Sequence, residues 1–567
     1  LVEDSPASLT ALKRRLEALG LSAEFPVGFP RELLVEELSN LARRLREGPA
    51  APLRIAFFGP TGAGKSKLFN TLAGGIVSPS SYRRPFTMRA VYLVHEGQDA
   101  APGASGDVKR WREDAWRDAV LIDTPDFDSV ERANRKEAER VFREVDALVF
   151  VTDIQKYADH STWDYLEKVF AAAKPVVLVL NKASGDGPAA DFFGRLEARF
   201  GSALAGAERI VLREDRLADD VLLPPSDPGI ARLRAGLEQL VVPAKRRSLL
   251  VDRLRADLDG FFHSWDEAAA KLRARLAGLS DLKARIEERA GAAASRVEAD
   301  QRFGVDPALK EEVYSRVIER LQKLDILRYP RKLLALPIEG LKTLVRRFFP
   351  EREARREAVE ERGPWGSDVF QRLESSLLEF YEGVREEVEA EPRCVGAIDD
   401  AAFRTLRLSH EEVARLYGER EERFAAWLKQ EAVATASTLT GENKAKFILS
   451  QLIYNSIIVG VQIHTAGAFT LAELATDSVL SPLVAKGVGM ALSSSRVAEF
   501  ENAARAEHGR LLMEVVAEGK RRLAARLDEA GAWGAEFTGL AADVEACRAR
   551  RQEMVAEFLA RDPHGSP

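Results

Sequence analysis

The sequence predicts a chain in two parts: a mostly parallel α/β sheet covered by helices, then a long all-α bundle. Three observations carry this. Short apolar, β-rich runs alternate with helical stretches from residue 53 to about residue 245. A glycine-rich turn follows the first of those runs and precedes a helix. Beyond residue 246 the chain has only long stretches rich in Ala, Leu, Glu and Arg, with no convincing strand.

Residues 7–47 read as two helices, with Leu9, Leu12 and Leu16 on the first and Leu33, Leu34, Leu38, Leu41 and Leu45 on the second. "REGPAAP" interrupts the pattern. The predicted strands are "LRIAFFG", "MRAVYLV", "DAVLIDTP", "DALVFVTD", "KPVVLVLN" and "ERIVLRE". Tyr157, Ala158, Asp159 and Trp163 are expected to open the helix after the fourth run, with Trp163 against the sheet. The resulting domains are 1–50, N-terminal helices joining the bundle; 51–245, the sheet domain; and 246–567, the bundle. No short internal repeat appears, which disfavours a solenoid.

At 567 residues the chain is too long for one core, and its 30% charged and 46% apolar residues with net charge -6 are those of a globular protein. An acidic balance gives no reason to expect nucleic acid. The two cysteines, Cys394 and Cys547, make no disulfide framework, and the first residues lack a basic-then-apolar order. A cytoplasmic location is therefore expected, with peripheral contact at the inner membrane left open.

Within "IAFFGPTGAGKSKLFN", Gly59, Gly64, Lys65 and Ser66 have the G-x-x-x-x-G-K-S spacing of a phosphate loop. The loop Gly59, Pro60, Thr61, Gly62, Ala63, Gly64 lets backbone N–H groups face phosphates at the start of a helix that continues through Lys67. Lys65 is expected on the β- and γ-phosphates, and the Ser66 hydroxyl on Mg²⁺. Asp123 ends an apolar strand, where a carboxylate holds Mg²⁺ through a water. It lies 57 residues after Ser66 and 58 before Asn181. Thr87, just ahead of a strand, is the candidate to close over metal and γ-phosphate, with Ser78, Ser80 and Ser81 as competitors.

The order Gly59 to Ser66, Thr87, Asp123-Thr124-Pro125 and Asn181-Lys182 resembles the GTP-binding domain of the translation-factor-related P-loop GTPases. With "RRPFT", "DTPDFDS" and the helical C-terminal half, it looks most like the bacterial dynamin-like proteins. The motif resemblance covers roughly residues 50–245. It implies a P-loop G domain that binds and hydrolyses GTP with Mg²⁺, pairs with another copy through that domain, and acts on membranes. It also implies that Asn181 and Lys182 contact the guanine.

Three positions depart from that pattern: Thr61 replaces a glutamine, Asp126 a glycine, and Ser184 the base-reading aspartate. A serine hydroxyl lacks the two oxygens that accept both guanine N–H groups. Asp186, two residues on in "SGDG", is the candidate substitute. For Asp126 two readings stay open, a carboxylate near the γ-phosphate or a surface loop acid.

Two segments break the texture of the helical half. Residues 326–350 carry six basic residues (Arg328, Arg331, Lys332, Lys342, Arg346, Arg347) against Glu339, and Ile338, Leu341, Val345 and Phe348 line one helical face. An anionic membrane contact and a basic helix pair inside the bundle both fit. Residues 447–472, opening the apolar hairpin 447–493, contain no charged residue but many polar ones, so a buried hairpin is favoured over a membrane span. The expected function is a Mg²⁺-dependent GTPase whose nucleotide state alters the angle between sheet domain and bundle. The alternative is a nucleotide-binding scaffold with little turnover and protein partners.

Overall fold

The computed structural model describes residues 5–20, 28–79, 89–98, 106–128, 132–214, 221–299, 368–437 and 494–561. Thr87, the basic segment 326–350 and the hairpin 447–493 lie outside the described residues. The chain divides into two units: Leu1–Gly20, Gly28–Lys271 and Ala535–Pro567 in one, Leu21–Val27 and Leu272–Gly534 in the other.

The first unit is built on a seven-stranded sheet in the order β3-β2-β4-β1-β5-β6-β7. Its strands are β1 (Leu53–Phe58), β2 (Val91–His95), β3 (Asp107–Trp111), β4 (Ala119–Asp123), β5 (Ala147–Asp153), β6 (Val176–Ala183) and β7 (Glu208–Arg213). β1, β4 and β5 are buried throughout, as continuous apolar runs in a sheet covered on both faces must be. β2 runs antiparallel to β4 and parallel to β3, so the two strands at that edge are reversed. β3, sequence "DVKRW", is the strand the apolar runs did not predict. Only Trp111 of its five residues is buried, so an edge strand facing water carries no apolar run to read.

Helices α3 (Lys65–Ala73), α4 (Arg132–Glu144), α5 (His160–Ala171), α6 (Asp186–Phe200) and α7 (Pro228–Val241) alternate with the strands. Phe58, Phe150, Leu178, Trp163 and Phe192 belong to one core cluster, which places Trp163 against the sheet as expected. Tyr157 and Ala158 precede α5 rather than forming its first turn.

Helices α1 (Ser5–Ala18) and α2 (Arg31–Glu47) also lie in this unit, with Leu9, Leu12, Leu16, Leu34, Leu38, Leu41 and Leu45 buried. A charged network fastens α2 and α8 (Pro243–Ala299) to the foot of the sheet. Arg44 pairs with Asp146 and, at 3.0 Å, with Asp257 of α8. Arg54, buried within β1, pairs with Glu144 and, at 3.3 Å, with Glu47, while its N–H donates to Asp146 at 2.8 Å. Burial opposes ionisation of Asp146, but the neighbouring Arg44 outweighs it and holds the carboxyl below its usual range. Lys174, fully enclosed, donates to the carbonyls of Phe142 and Val145, and burial pushes its pKa well below the usual lysine value.

The second unit is helical among its described residues: the later part of α8, α9 (Asp368–Ala390), α10 (Asp400–Leu406), α11 (His410–Ser437) and α12 (Ser494–Ala530). Phe370 meets Tyr417 edge-on at 5.4 Å, and the Tyr381 hydroxyl accepts the Leu408 N–H at 3.0 Å. Cys394 and Cys547 are both buried free thiols. Among the described residues no helix is long and apolar enough to cross a membrane.

Glu37 on α2 accepts the Ser264 hydroxyl at 3.2 Å, while its other oxygen is buried without a partner among the described residues. Burial pushes its pKa up to about 7. A carboxyl raised on folding stabilises fully below its unfolded value near 4.5 and loses that stability as pH rises towards 7. Glu37→Gln should therefore raise stability at pH 8 by on the order of 2 kcal/mol, after allowance for partial exposure, and leave it nearly unchanged at about pH 4.5. Urea unfolding of the two proteins at both pH values measures this.

Candidate functional site

The parallel register brings the C-terminal ends of β1, β4, β5 and β6 to one edge of the sheet. Phe57 stands opposite Asp123, and Asp153 opposite Asn181. Ligands gather at such an edge because loops and helix N-termini converge there.

Gly59 leaves β1 so close to β5 that a Cβ would lie 1.9 Å from the Val151 carbonyl oxygen. Gly64, at φ 95°, ends the turn and caps α3, and a Cβ there would meet Asn181 Nδ2 at 2.4 Å. Between them lie Pro60, Thr61, Gly62 and Ala63, and the first helical turn carries Lys65, Ser66 and half-buried Lys67. Lys65 is nearly enclosed and donates to the carbonyls of Gly59 at 2.9 Å and Pro60 at 3.1 Å. Its third partner is the Asp126 carboxylate.

Asp123 is fully buried and accepts from Ser66 Oγ at 2.7 Å and Ser78 Oγ at 2.6 Å, both on Oδ2. Its Oδ1 is buried with no hydrogen-bond partner among the described residues. Burial pushes the Asp123 carboxyl above its usual range, against the hydrogen bonds from Ser66 and Ser78 and the charge of Lys65. An unsatisfied buried carboxylate oxygen beside two hydroxyls is a donor set that suits a hard divalent cation. Ser78 is itself positioned by Asn70, whose side chain accepts the N–H groups of Val77 and Ser78 and donates to the Ser78 carbonyl.

On the other side of the loop, Asn181 donates from its amide to the Ala63 carbonyl at 2.9 Å and accepts the Lys182 N–H at 2.9 Å. Lys182 takes a positive φ of 56°, rare for a residue with a side chain, and its Nζ donates to the Gly62 carbonyl at 2.5 Å. Asp153 at the end of β5 lies 3.4 Å from the same Nζ. Ser184 is exposed. Asp186, the first residue of α6, has a side chain 91% exposed and pairs with Arg213 at 2.6 Å.

The structure thus brings Gly59 to Lys67, Asp123, Asn181 and Lys182 together, and sets Asp186 on Arg213. Sequence reasoning missed Asp128 and Asp153 and named Ser78 only as a competitor. Asp128 Oδ1 accepts both the Thr61 N–H at 2.7 Å and the Thr61 hydroxyl at 2.6 Å. The signal was present in "DFD", two acids flanking an aromatic residue, but an acid in a polar loop looks the same whether or not it finds a donor. Among the described residues no group of three or more His, Cys, Asp or Glu side chains forms a metal cluster.

Residues 54–182 match the family model described as 50S ribosome-binding GTPase. The chain is 29% identical over 248 residues to the tRNA modification GTPase MnmE of Halorhodospira halophila, covering 42% of each protein. It is 32% identical over 191 residues to the GTPase Der of Myxococcus xanthus, covering 31% of this chain and 36% of that one. The chain therefore spans about two fifths of the length of these relatives. A solved structure described as an oligomerised bacterial dynamin pair, a mechanism for long-range sensing and tethering of membranes, aligns with 99% of this chain and 95% of its own. Its identity is 11% and its TM-score 0.34, a score at which the likeness carries no argument. The phosphate loop, the sheet and the family match make this segment a P-loop GTPase G domain.

Because Gly64 combines positive φ with a close approach to Asn181, Gly64→Ala should destabilise the protein by roughly 1–3 kcal/mol and displace the Asn181 amide. Thermal melting measures the first effect, and an amide NMR shift of labelled Asn181 the second.

Proposed function

We propose that the chain is a Mg²⁺-dependent GTP-binding and GTP-hydrolysing protein of the dynamin-like kind. The observation that carries the nucleotide reading is the convergence of Lys65, Ser66, Asp123, Asn181 and Lys182 on one sheet edge. The backbone N–H groups of the loop from Gly59 to Lys67, Pro60 having none, would cradle the phosphates, with Lys65 on the β- and γ-phosphates. Ser66 and Asp123, with Thr87 closing over them, would hold Mg²⁺, which supplies charge neutralisation at the phosphate oxygens. Asn181 braces the base side against Ala63, and the Lys182 stem would pack over the purine. Asp186, released from Arg213, would accept the guanine N–H groups in place of Ser184.

Lys65→Ala should weaken binding of a non-hydrolysable GTP analogue about a hundredfold, the loss of a charge-assisted contact of roughly 3 kcal/mol. Fluorescence titration measures it, and ATP displacing labelled GTP as readily as GTP itself would remove the guanine assignment.

GDP and GTP as alternating ligands, pairing of G domains, and contact with an anionic membrane at the inner face of the cell complete the reading. The membrane contact is assigned to the basic, apolar-faced segment 326–350 on its sequence alone. Arg346→Glu with Arg347→Glu should abolish co-sedimentation with anionic liposomes at low salt in both GDP and GTP-analogue states. Retention of binding by that double variant would move the contact elsewhere.

One observation favours the second reading, a nucleotide-binding scaffold with little turnover. Thr61 stands where a water-positioning glutamine is expected, and its N–H and hydroxyl are both taken by Asp128. Phosphate release that stays at background across protein and liposome concentrations would select the scaffold.

A further inference from the structure

Lys65 has three ammonium protons and three acceptors: the carbonyls of Gly59 and Pro60, and the Asp126 carboxylate. Thr61 gives both its N–H and its hydroxyl to Asp128. Lys156 lies 3.6 Å from the other Asp128 oxygen. Between the two acids, Phe127 is buried and stacks on Tyr165 at 3.9 Å and Phe58 at 5.4 Å between ring centres. One short loop, pinned into the core by its aromatic residue, therefore sets two carboxylates on donors of the phosphate loop.

We propose that Asp126 and Asp128 form an intramolecular latch on the phosphate loop, competing as anions with the phosphates of the nucleotide for Lys65 and Thr61. This rests on the nucleotide reading above. A polyphosphate competes with the carboxylate already on the Lys65 ammonium, because like charges at contact distance repel strongly in a nearly enclosed site. Binding must then displace the loop, and the measured affinity is the intrinsic one reduced by the fraction of molecules with the latch open. By linkage, whatever opens the latch tightens the nucleotide to the same degree. The latch thus couples nucleotide binding to movement of the loop after β4. It also reverses the usual sign of a substitution at a ligand site: removing these charges strengthens binding.

The test uses the full chain and the variants Asp126→Asn, Asp128→Asn and the pair. Two probes are titrated by calorimetry in the presence of Mg²⁺: a non-hydrolysable GTP analogue and inorganic tripolyphosphate. Each variant should bind both probes about tenfold tighter, and the ligand-free protein should melt at a lower temperature. Unchanged or weaker tripolyphosphate binding in the variants overturns the latch. Should Asp126→Asn fail to fold, Asp128→Asn carries the same prediction. Tripolyphosphate tightening without any analogue binding supports the latch and sinks the guanine reading. Analogue binding to the wild type with no tightening in any variant sinks the latch alone. If neither probe binds any protein, both readings fall.

Discussion

The pairing of β1 in parallel with both β4 and β5 is the constraint on which the site depends. A strand buried on both faces and flanked on both sides fixes its neighbours in register. Their C-terminal ends then emerge together, with Asp123 beside Phe57 and the phosphate loop one residue beyond Phe58. The closeness has a local cost in sequence freedom, since the Val151 carbonyl leaves no room for a Cβ at Gly59. The loop geometry and the placement of the Asp123 carboxylate are thus consequences of one strand arrangement.

At the opposite end of the sheet a network of buried charges ties α2 and α8 on. Arg44, Arg54, Glu144, Asp146 and Asp257 come from three helices, a central strand and the turn between α4 and β5. A buried pair of this kind adds little net stability over apolar packing, yet removing one member leaves an uncompensated charge. The network therefore fixes where α2 and the start of α8 dock more than it strengthens the docking. Lys174 serves the same end by donating to the last carbonyls of α4 and the residue after it, where a cation also suits the helix dipole.

The loop after β4 joins core and site. Thr124 donates to the Phe57 carbonyl at 2.6 Å, Phe127 enters the aromatic core, and Asp123, Asp126 and Asp128 contact Ser66, Lys65 and Thr61 in turn. An arrangement in which one loop touches three positions of the phosphate loop makes movement of either felt by the other. The phosphate loop and the packing of the sheet are linked through the six residues 123–128.

The sequence by itself determined the phosphate loop, the alternation of strand and helix, and the landmarks Asp123 and Asn181, because these depend on local spacing and on apolar runs that central strands must have. It also determined the two N-terminal helices, whose leucines repeat at helical spacing. It did not reveal β3, whose exposed edge tolerates charged residues, nor the reversed direction of β2. Tertiary structure alone decided the fate of the loop acids. Asp126 and Asp128 face Lys65 and Thr61, whereas Asp186 faces Arg213, and nothing in their local sequence distinguishes them. A carboxylate's role is set by the donor that folding brings within reach, and those donors lie between 27 and 67 residues away along the chain.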